Sequence, residues 1–383
     1  MNKASKSGLM ALAWLTAAAA VLAQSAGNPP PAGGPAGAAS PAAGARGNQG
    51  PPLGNPVGKQ FLFADFKSPP LKVQYPGNVE ASFYVTYATV MGTRPLKMDI
   101  YRVPNAGPKP AIIFVHGGSY VGGDPRDDRN AIYGEDDGFM AYVASRGYVV
   151  AAVRYRLADE AKWPAQLEDV KAAIRWLRGN AEQYGVDPQR LAVWGESAGG
   201  HIAAMVGATC GIKEFDKQEN NGIYGNTPRP MQAAFDNQSS CVQVAVPWHA
   251  STDMARLDAQ SESFAKLIHN TPVSSQSRVL GCSLGTTCDA ATVQRANALY
   301  YVSQGGADKT AFLFQVGSVD EATPWQQSQI MYDALRARGI TAQIEVIKGA
   351  NHYFTGATKE QAKQILDTFF KFLDENLNKA AGK

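Results

Sequence analysis

Leu191-Ala192-Val193-Trp194 is a short apolar run, and Gly195-Glu196-Ser197-Ala198-Gly199-Gly200 follows it directly. The next residues, His201-Ile202-Ala203-Ala204-Met205, favour a helix. A buried strand, a Gly-x-Ser-x-Gly turn and a helix in immediate succession form a nucleophile elbow. Glycines on either side let the chain reverse where a Cβ would collide, and Ser197 is expelled with its hydroxyl exposed. The pentapeptide alone is a weak signal in a chain with 38 glycines. Its meaning rests on what lies before and after it.

The flanking sequence alternates strand and helix. Ala81–Val90 and Lys97–Val103 alternate apolar and polar residues and predict an antiparallel pair. Ala111–Val115, Tyr148–Val153, Leu191–Trp194, Val242–Val246 and Ala311–Val316 are apolar runs that suit strands buried on both faces. Gln166–Tyr184, Tyr332–Arg338 and Lys359–Asn378 carry apolar residues at three- and four-residue steps, as amphipathic helices do. Together they predict an α/β domain with a mainly parallel central sheet and helices on both faces.

The remaining chain divides by composition. Lys3 and Lys6 precede the apolar stretch Leu9–Ala23, so residues 1–23 read as a cleaved secretory signal peptide. That stretch falls short of the roughly 20 residues that span a bilayer, which argues against stable membrane insertion. Residues 24–78 read as a Gly/Pro/Ala-rich tether and 79–383 as the folded domain. A formal charge of +3 gives no reason to expect nucleic acid as a partner. After export, Cys210, Cys241, Cys282 and Cys288 form an even set in an oxidising compartment. Three connectivities are open. Cys210–Cys241 with Cys282–Cys288 is preferred, because the second pair closes a short loop. The spacing lacks the paired motif of a structural zinc site.

A serine nucleophile needs a base, a group to orient it and donors for the oxyanion. The elbow predicts the chain order serine, acid, histidine. Of five histidines, His116 precedes Ser197 and is expected to brace its own loop. His201 lies on the elbow's helix. His249 follows a strand and lines the cleft without reacting, and His269 sits in a polar stretch read as surface. His352, in the turn after Ala342–Ile347, is the expected base. Asp320, just after the Ala311–Val316 run, is the expected acid, with Glu321 as its neighbour and competitor. Val115-His116-Gly117-Gly118-Ser119-Tyr120 follows a strand and predicts an oxyanion loop. Its donors are the amides of Gly118 and Ser119 with that of Ala198, and Gly117 is able to replace one of them. This chemistry calls for no metal and no organic cofactor. Asp169 reads as scaffold, stabilised near a helix N-terminus. Tyr224, Phe235 and Trp248 either stack on an aromatic acyl group or pack within loops.

Four segments carry a family resemblance: the His-Gly-Gly loop, Tyr155-Arg156-Leu157, Pro164–Val170 and Gly195–His201. They resemble the acetyl-esterase/lipase group of α/β-hydrolases. That group includes hormone-sensitive-lipase-like esterases and the feruloyl and acetyl-xylan esterases of bacteria. The likeness runs from about Val85 to Leu377. It implies Ser197, Asp320 and His352 as the triad, with Gly317, Pro324, Gln327 and Ser328 matching the pattern around the acid. Cys282 and Cys288 are similar to the cysteines of secreted members. Ser119 stands where hormone-sensitive-lipase-like loops carry a third glycine, and the tether occupies the place of their helical cap. Both departures favour the feruloyl/acetyl-esterase branch. The implied activity is hydrolysis of short-chain or hydroxycinnamoyl esters, including carbohydrate-linked ones. The alternatives are a peptidase or amidase of the same fold, or a non-catalytic binding protein.

Overall fold

The computed structural model describes residues 71–90, 92–127, 130–133, 138–215, 235, 237–261, 265 and 267–380. The expected signal peptide, most of the expected tether and Tyr224 lie outside them. Within the described residues one sheet has nine strands: β1 (Leu71–Tyr75), β2 (Val79–Ala88), β3 (Leu96–Arg102), β4 (Lys109–Val115), β5 (Val149–Val153), β6 (Val186–Glu196), β7 (Val244–Trp248), β8 (Ala311–Gly317) and β9 (Ala342–Ile347). Their spatial order is β1-β2-β3-β5-β4-β6-β7-β8-β9. Antiparallel pairing joins β1, β2, β3 and β5, while β5, β4, β6, β7, β8 and β9 are mutually parallel.

The folded part begins earlier than residue 79. Leu71–Tyr75 pairs with Val79–Phe83 along the sheet edge. Such an edge strand buries little, and Leu71 stays 60% exposed, so it leaves no strong apolar pattern.

The apolar runs form strands because both faces of each are covered. In β4, Ala111, Ile113 and Val115 join one core while Ile112 and Phe114 join the other. Strand β6 divides likewise, with Leu191 and Val193 on one side and Ala192 and Trp194 on the other. The five longest helices among the described residues are α1 (Phe139–Ser145), α2 (Ala165–Gly179), α3 (Ala198–Ala208), α4 (Trp325–Ala337) and α5 (Lys359–Ala380). Helices α2, α3 and α4 cover the first face, and α1 and α5 the second.

Asp169 serves the scaffold by a different device from the one expected. Its carboxylate accepts from the Arg156 guanidinium at 2.8 Å and from the Arg156 backbone N–H at 2.9 Å, both residues being buried. The pair ties the segment after β5 to helix α2. Disulfides join Cys210 to Cys241 and Cys282 to Cys288. Among the described residues, no helix is long and apolar enough to cross a membrane.

Candidate active site

From β4 the chain moves to β5 on one side and then crosses to β6 on the other. A crevice opens at this reversal, outside the carboxyl ends of β4 and β6, where α/β sheets place their ligands. The loop after β4 and the turn after β6 both enter it. A cavity of about 440 Å³ lies there, lined by Gly118, Ser119, Ser197, Ala198, His269, His352 and Tyr353 among others.

Ser197 sits at φ 55° between β6 and α3. Its backbone N–H donates to the Trp248 carbonyl at 3.0 Å, and its own carbonyl accepts from His201 N–H at 2.9 Å, opening α3. The turn is tight enough that a Cβ on Gly199 would overlap the Val115 and His116 carbonyls, so only glycine fits there.

His352 follows β9 and turns its ring between two partners. Its Nε2 lies 2.9 Å from Ser197 Oγ, and its Nδ1 lies 2.8 Å from Asp320 Oδ2. Of the five histidines, four are buried, and His352 alone keeps some exposure. Asn351 fixes the turn by accepting from the N–H groups of His352 (2.7 Å) and Glu321 (2.8 Å). The carboxylate facing His352 Nδ1 is that of Asp320. Its Oδ1 accepts from the N–H groups of Ala322 (2.9 Å) and Thr323 (2.7 Å). Burial opposes ionisation of Asp320. The attraction of His352 and contacts with both His352 and His249 outweigh burial and hold this carboxyl well below the usual range.

Gly118, Ser119 and Ala198 face the same cavity as Ser197. Among the described residues, Gly118 and Ser119 donate their N–H groups to no other protein atom. Ala198 begins α3, whose N-terminal end carries partial positive charge. Gly117 instead lines a small pocket with His116, Asp127, Glu196 and Tyr353. His116 braces the loop: its Nδ1 lies 2.7 Å from the Gly117 carbonyl and its ring stacks on Tyr155 at 4.4 Å. Burial, partly offset by that hydrogen bond, pushes its pKa down to about 4, so it stays neutral.

Two residues, His269 and Trp248, lie elsewhere than expected, while Phe235 packs as a loop residue. His269 is buried and lines the cavity, its ring held between Asp258 Oδ1 (2.8 Å) and the Ala322 carbonyl (3.0 Å). Trp248 is in the core beneath the site, with Nε1 donating to Gln315 Oε1 at 2.8 Å. Phe235 packs where a side chain on Gly179 would stand, at the end of α2. Glu196, which the sequence singled out only as part of the elbow, is fully buried beside Ser197. Its carboxylate accepts from Asn130 Nδ2 at 2.8 Å and from the Tyr133 hydroxyl.

The profile of the BD-FAE family matches residues 98–335, more than half of the chain. This chain belongs to the BD-FAE family. The BD-FAE match takes in the His-Gly-Gly loop, Ser197 and Asp320 and stops before His352. The probable carboxylic ester hydrolase LipM of Mycobacterium tuberculosis is 28% identical over 243 residues, covering 62% of this chain and 48% of LipM. The chain thus spans about half the length of that curated relative. Among solved structures, a truncated carbohydrate esterase from gut microbiota superposes with a TM-score of 0.60 at 23% identity, covering 80% of this chain and 99% of that one. An acetyl ester-xyloside bifunctional hydrolase from Caldicellulosiruptor lactoaceticus gives 0.54 at 21% identity, over 73% and 89% of the two chains. The BD-FAE fold seen here is that of the α/β-hydrolases.

Proposed function

We propose that this chain is a serine carboxylic-ester hydrolase acting through an acyl-enzyme on short-chain esters, with carbohydrate-linked and hydroxycinnamoyl esters in the same class. The observation that carries the reading is the line of hydrogen bonds from Ser197 Oγ through His352 to Asp320, opening on the cavity lined by Gly118, Ser119 and Ala198. His352 Nε2 takes the Ser197 proton as Oγ attacks the ester carbonyl. Asp320 holds the Nδ1–H tautomer and stabilises the imidazolium that forms. The three amides receive the developing oxyanion, and His352 returns the proton to the departing alcohol. Water then repeats the cycle on the acyl-enzyme and releases the acid.

The name of LipM and the titles of the carbohydrate and acetyl-ester hydrolases support the ester class. Polar cavity walls at Ser251, His269, Gln276 and Thr323 suit an alcohol rich in hydroxyls. Among the described residues, Trp248 is in the core and Phe235 packs against the end of α2, while the aromatic residues Tyr120 and Tyr353 line the cavity that would receive an acyl group. Export belongs to the same reading, supported by the two disulfides and the apolar leader. Ser197→Ala is expected to abolish turnover of p-nitrophenyl acetate with the fold retained; wild-type activity in that variant contradicts the assignment. Rates on acetyl, butyryl, octanoyl and feruloyl esters then rank the acyl groups.

A further inference from the structure

Asp320 faces a second histidine that the mechanism above does not use. His249 follows β7 at the same sheet edge as Ser197, and its side chain has no exposure. Its Nδ1 lies 3.5 Å from Asp320 Oδ2, the oxygen that His352 Nδ1 meets at 2.8 Å. That separation exceeds a settled N–H···O bond, as often holds before substrate draws a site together. Among the described residues, neither ring nitrogen of His249 has another hydrogen-bond partner, a costly state for a buried polar group.

The backbone supplies an independent observation. Nine described residues other than glycine have positive φ. Six of them are Ser119, Tyr120, Ser197, His249, Tyr353 and Phe354, all in segments that build the site. His249 holds φ 51° with its ring 5.1 Å from that of His352 and 4.4 Å from that of Phe354. A non-glycine residue held in this region costs free energy and persists where the surroundings demand it, most often at functional sites.

We infer that His249 is a positioning residue for the proposed reaction, presenting Nδ1–H to Asp320 Oδ2 so that this carboxylate is fixed between two imidazoles. Burial keeps the His249 ring neutral despite the opposing pull of Asp320, so it offers a dipole and adds no competing charge. Oδ1 is already held by two backbone amides; His249 restrains the other oxygen. Asp320 then cannot swing as His352 becomes an imidazolium. No proton moves to or from His249 in the cycle.

The inference rests on the esterase reading, and its test separates the two. Asparagine tolerates positive φ and places a side-chain amide near the position of Nδ1, whereas leucine offers no donor. Replacing His249→Leu is expected to lower kcat about tenfold or more with KM unchanged, the scale of one hydrogen bond to a charged group. His249→Asn is expected to recover most of that loss. Equal kcat in His249→Leu and the wild type overturns the inference, as does an Asn variant no better than the Leu variant at matched melting temperature. NMR of wild-type protein labelled with [15N]histidine, with the His249 signal identified from the Asn variant, reads the tautomer without any substrate. A neutral Nδ1–H form supports the inference and an Nε2–H form overturns it. If the wild type hydrolyses no ester, the functional reading fails, and the tautomer alone decides the role of His249.

Discussion

The hydroxyl of Tyr353 occupies the space where a side chain on Gly117 would begin, and the Glu196 carbonyl lies 3.1 Å from that same point. Three segments distant in sequence are thereby pressed together: the loop after β4, the elbow after β6 and the histidine turn after β9. The Tyr353 carbonyl also accepts from the Ala131 N–H at 3.0 Å, and the adjoining Asn130 donates to Glu196. The loop after β4 and the His352 turn are thus set against one another by packing as well as by hydrogen bonds.

Gly117→Ala tests this contact. The new methyl displaces the Tyr353 hydroxyl and with it the His352 turn, so kcat on p-nitrophenyl acetate is expected to fall about tenfold or more, in line with the sensitivity of rate to small misplacements. Tyr353→Phe added to Gly117→Ala removes the clashing oxygen and is expected to restore part of the rate. No recovery in the double variant would show that the two residues act independently.

Asp320→Asn keeps the shape of the acid but presents an amide to His352 Nδ1, favouring the wrong tautomer. In triad hydrolases this change costs about 10⁴-fold in kcat, and a loss of that order is expected here with KM little altered. A loss below tenfold would argue that Glu321 takes the role.

Glu196 predicts a dependence of stability on pH. Burial pushes its carboxyl from the ordinary 4.5 up to about 7, although the hydrogen bonds from Tyr133 and Asn130 and the charge of His352 pull the other way. A raised folded-state value means that the folded protein holds this proton more tightly than the unfolded chain. The stability it contributes is therefore complete below pH 4.5 and is lost as pH rises toward 7. Glu196→Gln removes that window. Melting curves of wild type and variant are expected to diverge across it, with the wild type losing on the order of 3 kcal/mol relative to the variant. Parallel curves would contradict the assignment.

The site was legible where chemistry coincides with strand ends. Ser197, Asp320 and His352 each follow a strand-like segment, so order along the chain pointed to their meeting at one end of the sheet. His269 was misread because its polar neighbours, Asn270 and Thr271, say nothing of the Asp258 carboxylate that holds its backbone and ring. His249 did carry a signal: it directly follows the buried run Val244–Trp248, at the same sheet edge as the other three. Its contact with Asp320 depends on the adjacency of β7 and β8, which no local pattern encodes. Strand β1 escaped notice because an edge strand with little burial has little apolar period to show. Asp169 was expected to serve the scaffold near a helix N-terminus, but its ion pair with Arg156, 13 residues earlier on a different element, left no local signal.

The central claim is that His352 makes Ser197 a nucleophile. A fluorophosphonate forms a covalent adduct only with an activated serine, so it reads the claim without assuming a natural substrate. Peptide mass spectrometry after brief exposure is expected to place a single adduct on the peptide containing Ser197, absent from Ser197→Ala and greatly slowed in His352→Ala. An adduct on another residue, or equal labelling of Ser197 with and without His352, would contradict the account.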